Sequence, residues 1–441
     1  MRSKRVVAKA LSIVLISCLA AGMLASCKKE KDDITKASSE DYKIVITNNP
    51  VPQDKYGFLV NEKGVITLNG KAFYGMGVNQ HGSFRYSELS KAFGETGPGI
   101  AIDIDEYFKP LKDNHIPFIR FMGGIFYANE VDKYVKEHDK YMEAFDKYIA
   151  KAEEYNIGLI PSLMWNFSTF CEYYGEEPSE IGNPNSQGVK LAVQYVSEIV
   201  ERYKDSPAIW AWEIGNEGNL AVDLSKLGPQ HMNVTTAQLG SYYKTVGAAI
   251  RAKDKNRMIV AGDSEPRPSS KALRENGTWN PSDKEADTKE TLLLYTPDPL
   301  DCVSIHMYQE SPDELRDFDT IIRKYVRLAK SLKIGLFIGE FGPDKMNNDT
   351  PNEEDPTDPK EEKERTCFYA IGEAIYDSGA QISAAWCYRR DEQKDGTSIV
   401  PGGQNAYQWD YIVRINKLYI NNDKNNAADY WANVTNKFYG K

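Results

Sequence analysis

Cysteine and histidine are scarce in this chain of 441 residues, with six of the first and five of the second. Cys18 and Cys27 fall at the amino-terminal end, which leaves Cys171, Cys302, Cys367 and Cys387 scattered over the rest. Four so widely spaced are too few for a disulfide-stapled scaffold, and their spacing does not separate the possible pairings. No CxxC or HExxH spacing occurs, so a dedicated metal centre has no support. There is no GxGxxG after a first strand, which removes the dinucleotide fingerprint of a doubly wound open sheet. Positive charge is in deficit: 54 Lys and Arg stand against 64 Asp and Glu, for a net charge of -10. Residues 1–26 hold Arg2, Lys4, Arg5 and Lys9 and no acidic residue, so the remainder is more acidic still, which argues against nucleic acid as a partner.

Long apolar runs are missing except at the start. The four basic residues precede an apolar stretch over 10–23, and Leu24, Ala25, Ser26 and Cys27 follow, which is the order of a secretion leader. The run is short for a membrane span of roughly 20 residues. Its ending resembles a bacterial lipobox. That resemblance implies loss of residues 1–26, a lipid on Cys27 and an anchor in the bacterial cell envelope, at the outer membrane. Residues 27–41 are charged and lack apolar periodicity, which suits a flexible tether, and 42–441 then reads as a single domain.

Eight runs of strand character follow, at 72–79, 116–123, 157–164, 208–215, 257–262, 301–308, 334–340 and 380–388. Helical patterns alternate with them at 102–114, 138–155, 188–204, 236–254, 312–332, 361–378 and 409–420, while 263–300 gives only a hint of helix. Links from helix to strand, such as His115, Asn156 and Lys333, are short, whereas links from strand to helix are long and irregular. That directional asymmetry predicts an α/β fold, the (β/α)8 TIM barrel, in which loops after the strands build the site and tolerate insertion. Residues 57–73 alternate apolar and polar around glycines, a short hairpin placed to cover the barrel's bottom. The acidic stretch 344–363 reads as a solvated loop entering a helix.

Two of the strand runs end in glutamate. IWAWEIGNEGN delivers Glu217 and IGLFIGEFGP delivers Glu340, each to the carboxyl end of its strand, where parallel barrels hold their sites. A facing carboxyl pair is the apparatus of glycosidic-bond hydrolysis. One carboxyl protonates the leaving oxygen; in the retaining route the other, about 5–5.5 Å away, attacks the sugar. Glu213, four residues before Glu217, is expected to lie deeper and buried with partners. Asp263 and Glu265, after the fifth strand, and His81, after the first, are further candidates for the cleft. Trp165, Phe167, Phe170, Tyr173 and Tyr174 form either a sugar-stacking wall or the packing of their own loop.

Over roughly residues 55–420 the sequence resembles the clan of retaining glycoside hydrolases with (β/α)8 barrels, and most of all the family 5 cellulase and mannanase group. The resemblance implies that Glu217, after Asn216 at the fourth strand, is the acid/base and that Glu340, at the seventh, is the nucleophile. It implies that Asn216 bonds the sugar's 2-hydroxyl and that Arg120, in FIRFMGG, donates to the nucleophile. His306 and Tyr308, in SIHMY, would bind sugar and orient Glu340, and Trp386, in SAAWCY, would lie beneath the sugar. Departures are also present: Gly218 stands where the family often has proline, Trp210 breaks the aliphatic start of the signature, and Trp165 and Asn166 stand where a histidine is common. They bear on subfamily and substrate rather than on the pair. The expectation is a retaining hydrolase of β-linked poly- or oligosaccharide, without metal or cofactor. A catalytically inactive glycan-binding lipoprotein and a transglycosylase are the alternatives.

Overall fold

The computed structural model describes residues 42–309, 315–343, 359–389, 397–403 and 405–434. The leader, the lipidation at Cys27, the tether and most of the acidic stretch 344–363 lie outside them. Three short strands, β1 (Phe58–Val60), β2 (Ile66–Leu68) and β3 (Lys71–Ala72), make an antiparallel sheet. Eight more close a parallel barrel in chain order: β4 (Gly75–Asn79), β5 (Phe118–Met122), β6 (Gly158–Met164), β7 (Ala211–Gly215), β8 (Met258–Val260), β9 (Cys302–Tyr308), β10 (Gly335–Gly342) and β11 (Ile382–Ala385). Closure is made by β11 on β4, with Ile382 opposite Gly75 and Ala385 opposite Val78. The eight expected strands are these eight, and the TIM barrel and its amino-terminal hairpin are both present.

The helices follow from spacing and caps. Over His138–Tyr155, Tyr141, Met142, Phe145, Tyr148, Ile149 and Ala152 recur on one face and are buried, while the charged residues other than the buried Glu153 take the other. Gln187–Tyr203 starts at Ser186, whose side chain accepts from the Val189 amide, and Thr236–Lys253 starts with a capping box between Thr235 and Gln238. The short links share one device. His115, Asn156 and Lys333 all have positive φ, 53°, 59° and 58°, so each turns the chain out of helical geometry within a residue or two of the next strand. One expectation is corrected: 263–300 holds two helices, Ser270–Asn276 and Glu285–Tyr295. The second escapes a periodicity reading because its apolar residues, Leu292 to Tyr295, are bunched in its last turn, leaving Leu293 49% exposed.

Aromatic rings plug the barrel's amino-terminal end. Phe58 of the hairpin lies 5.0 Å from Trp210 and 5.9 Å from Phe118, and its amide donates to the Trp210 carbonyl at 2.6 Å. Small residues make room for these rings: a Cβ on Gly158 would come within 2.2 Å of Trp210, and one on Gly77 within 2.5 Å of Phe118. Trp210, which interrupts the aliphatic pattern of its strand, is thus the seat of the hairpin. Cys171, Cys302, Cys367 and Cys387 are all buried, and no disulfide joins them.

Candidate active site

Above that plug, the interior turns polar at the carboxyl ends of the strands. Arg120, on β5, is fully buried and reaches four partners. Its Nε donates to both Glu213 oxygens at 2.9 Å, Nη1 donates to Asn79 Oδ1 at 2.9 Å and to Glu340 Oε1 at 2.8 Å, and Nη2 donates to Asn216 Oδ1 at 2.7 Å. Burial works against its charge, but Glu213 and Glu340 outweigh that and hold the guanidinium above its usual value. Glu213 is buried with a partner, as expected. Asn79, at the end of β4, turns its NH2 to the carbonyls of Gly339 and Ala384, tying β4 to β10 and β11.

Glu340 is 5% exposed, and both of its oxygens accept: Oε1 from Arg120 and Oε2 from the Tyr308 hydroxyl at 2.6 Å. The β9–β10 register sets this up by placing Glu340 opposite His306 and Gly342 opposite Tyr308. Burial and the adjacent Glu340 charge both push the Tyr308 phenol well above its ordinary value, so it stays a donor. Glu217 comes from the turn after β7. Its own backbone is left-handed, φ 51° and ψ 30°, and its amide donates to the Gly262 carbonyl at 2.9 Å. His306 Nδ1 lies 2.8 Å from Glu217 Oε1 and 3.6 Å from Glu340 Oε2, so with a carboxylate as acceptor the ring proton belongs on Nδ1. Burial pulls the Glu217 carboxyl upward, yet the bond from His306 and the charges of His306 and Arg120 prevail and hold it below its usual value.

One oxygen of Glu217, one of Glu340 and a nitrogen of His306 all lie within 4.8 Å of one another. Among the described residues this is the grouping with metal-ligand spacing. A cation there would compete with Arg120 and Tyr308 for Glu340's lone pairs, against a guanidinium already 2.8 Å away. An oxygen-to-oxygen approach within 4.8 Å brings the carboxyls close enough for the retaining route, whose pairs stand about 5–5.5 Å apart, and is short of the roughly 6.5–9.5 Å that accommodates a water between inverting carboxyls.

Both glutamates line a cavity of ≈ 290 Å³. His81, Trp165, Asn216 and Trp386 line it too, as the sequence suggested. His81, Trp165 and Trp386 approach one another with ring centroids 5.7 to 6.2 Å apart, an aromatic wall on one side of the carboxyls. Trp165 also covers Arg120, whose guanidinium carbon is 5.0 Å from its ring. Asn216 commits its oxygen to Arg120, which leaves its NH2 for whatever enters the cavity it lines.

Other candidates fall elsewhere. Asn166 is not among the lining residues; its oxygen accepts from the Ser168 amide and hydroxyl, an Asx turn. Phe167 and Phe170 are buried packing, and Tyr173 donates to Asp132, so of the five loop aromatics Trp165 alone lines the cavity. Glu265 pairs with Arg316 at 2.7 Å and accepts from Tyr325, and Asp263 accepts from Tyr243, so neither lines it. Residues that sequence patterns did not single out do: Arg85, Tyr86, Met122, Phe126 and Tyr127. Met122 ends β5 and the others follow β4 and β5 within a few residues, so the signal for them was position, near the same strand ends that carry Asn79 and Arg120.

Known proteins share this fold. Residues 70–373 match the family "Cellulase (glycosyl hydrolase family 5)". Over 121 residues the chain is 31% identical to "Probable mannan endo-1,4-beta-mannosidase F" of Aspergillus flavus, covering 26% of this chain and 23% of that protein. It is 27% identical over 117 residues to "Mannan endo-1,4-beta-mannosidase A" of Hypocrea jecorina, covering 25% and 24%. The chain thus spans about a quarter of the length of the curated relatives it matches. Among solved structures, the endo-1,4-beta-mannanase from Rhizomucor miehei superposes with a TM-score of 0.57 at 17% identity, covering 85% of this chain and 99% of that one. The endo-beta-1,4-mannanase from Thermotoga petrophila does so at 0.55 and 18%, covering 81% and 79%, and both likenesses are of fold. With the match extending over most of the barrel, the chain belongs to glycosyl hydrolase family 5.

Proposed function

We propose that this protein is a retaining β-glycanase acting on β-1,4-linked mannan by a two-glutamate double displacement. The observation that carries it is the approach of the Glu217 and Glu340 carboxyls to within 4.8 Å, with two donors aimed at Glu340 and an imidazole at Glu217. Glu340 Oε attacks the anomeric carbon as the bond to the leaving oxygen breaks, and Glu217 gives that oxygen its proton. Glu217 then takes a proton from water, whose oxygen displaces Glu340 and regenerates both carboxyls. For the first step Glu217 must carry a proton. Its side chain is 31% exposed at the cleft, and a sugar laid over it removes that exposure, adding to the burial effect that already pulls its pKa upward. The NH2 of Asn216 is placed for a sugar hydroxyl, and the flat faces of Trp386 and Trp165 suit the C–H face of a pyranose. The mannan preference is supported by the named mannosidases among the relatives.

Glu217→Gln and Glu340→Gln are expected each to lower hydrolysis by orders of magnitude with folding intact, and a 2-fluoro glycosyl fluoride is expected to label Glu340. Near-normal turnover in either variant would remove that residue from its role. Tight glycan binding without turnover or labelling on any β-glycan would favour a glycan-binding protein, and products longer than the substrate would favour a transglycosylase. We also infer from the leader and Cys27 a lipid anchor in the bacterial envelope. Radiolabelled palmitate should enter the wild type and not Cys27→Ser; equal labelling would refute it.

A further inference from the structure

Glu217 is held in a backbone conformation that side-chain-bearing residues seldom adopt, φ 51° and ψ 30°, and such a residue persists only where its surroundings over-determine it. The turn Glu217–Asn219 is fastened at three places to the segment that follows β8. The Glu217 amide donates to the Gly262 carbonyl at 2.9 Å. Asn219 makes a closed pair with Ser264, donating Nδ2 to its carbonyl at 2.9 Å and accepting its amide at 3.0 Å. The Asn219 amide donates to Asp263 Oδ1 at 3.1 Å. That same oxygen accepts from the Tyr243 hydroxyl at 2.6 Å, and Tyr243 presses on the turn directly, since a Cβ on Gly218 would lie 2.6 Å from its oxygen. Asn219, Asp263 and Tyr243 are each 3% exposed or less. Asp263 Oδ2 is buried with no hydrogen-bond partner, so the carboxyl is given over to the two donors on Oδ1.

We propose that Asp263 is a positioning residue for Glu217: by accepting from Tyr243 and Asn219 on one oxygen, it locks the turn that carries Glu217 and keeps its carboxyl facing Glu340. This rests on the reading of Glu217 as the acid/base. It also accounts for Gly218 and Asn219 in place of the proline common after this glutamate: Gly218 leaves space for the Tyr243 hydroxyl, and Asn219 supplies the amide and side chain that grip the segment after β8. Burial pushes Asp263 up to about 7 despite the opposing pull of Tyr243, the Asn219 amide and His306. With a proton on Oδ2, Oδ1 still accepts from both partners, so the lock holds in either state.

The test separates the two steps of the reaction. Aryl glycosides with a good leaving group need no proton to form the glycosyl-enzyme, whereas mannooligosaccharides do. Asp263→Ala and Tyr243→Phe are compared with wild type for kcat and KM on mannohexaose, and for the rate of glycosyl-enzyme formation from 2,4-dinitrophenyl β-mannoside. Asp263→Asn serves as the conservative variant that keeps an Oδ1 acceptor. Expected is a fall in kcat on mannohexaose of ~10-fold or more with little change in KM, near-wild-type glycosyl-enzyme formation from the activated glycoside, and recovery of most of the loss in Asp263→Asn. Equal losses on both substrates would reduce Asp263 to general support of the fold, and wild-type rates on both would remove it altogether. Should Asp263→Ala not fold, Tyr243→Phe, which removes a single hydroxyl, decides between these outcomes by the same pair of rates. Absence of any glycosyl-enzyme in the wild type would instead bring down the underlying reading of Glu340 and Glu217.

Discussion

Asp263 makes a quantitative prediction about stability. Its carboxyl is 3% exposed and burial pushes it up to about 7, against an ordinary 3.8. For an acid raised in the folded state, the native protein holds a proton over the interval in which the unfolded chain has released it. Unfolding then releases a proton, so stability falls as pH rises from about 4 to about 7 and is level above that. A gap of about three units corresponds to roughly 4 kcal/mol across the interval. For a domain of this size that amounts to on the order of 5 °C in melting temperature. Other carboxyls titrate in the same range, so the informative quantity is the difference between wild type and Asp263→Asn, which cannot ionise and keeps its Oδ1. Guanidinium denaturation of both proteins at intervals from about pH 4.5 to about pH 8 is expected to show the wild type losing ground to the variant steadily until neutrality. A difference that stays constant within about 1 kcal/mol over that range would refute the assignment of a raised, proton-holding Asp263.

Other outcomes follow from the same geometry. Arg120→Met leaves the buried carboxyls of Glu213 and Glu340 without their cation and should cost about 3–5 kcal/mol of stability by denaturant titration; a loss under about 1 kcal/mol would contradict those ion pairs. Tyr308→Phe deletes a 2.6 Å bond to Glu340, and since hydrogen bonds to charged groups contribute about 1.5–3 kcal/mol, the melting point should fall along with kcat, the latter by ~10-fold or more as the nucleophile loses a donor that orients it. An unchanged kcat would show that the phenol does not serve Glu340. Gly57→Ala forces a Cβ to within 2.6 Å of the Ile209 carbonyl at φ 72°, so it should destabilise by more than ~1 kcal/mol while leaving KM unaltered, and a neutral melting curve would contradict it.

Much of this architecture could be read before folding because it depends on features local to the chain. The strand runs are short, apolar and bounded, and link residues such as Asn156 and Lys333 sit where a helix must stop within one residue. Glu217, Glu340, Arg120, His306 and Tyr308 were legible for the same reason: each lies at or near the carboxyl end of a recognisable strand. What escaped was set by tertiary contact. Asn166 looks like a cleft residue in sequence, yet it spends its oxygen on Ser168 two residues on. The Glu285–Tyr295 helix has no apolar stripe, because it buries Thr288 and Thr291 beside Leu292 and Tyr295 and leaves Leu293 and Leu294 exposed. Tyr86, Phe126 and Tyr127 line the cavity from short segments a few residues after β4 and β5, and such segments leave no periodic trace. The lock of Tyr243, Asp263 and Asn219 joins residues from three separate segments, which no spacing rule connects.

The guanidinium of Arg120 also changes how loss of function should look on heating. It links β5 to β4, β7 and β10 through Asn79, Glu213 and Glu340, and Asn79 carries the chain of bonds on to β11. Those strands lie on different sides of the ring, so the nucleophile is fastened to the hoop itself rather than to a loop resting on it. Gradual softening of the site ahead of melting has little room to occur, and inactivation and unfolding should share one midpoint.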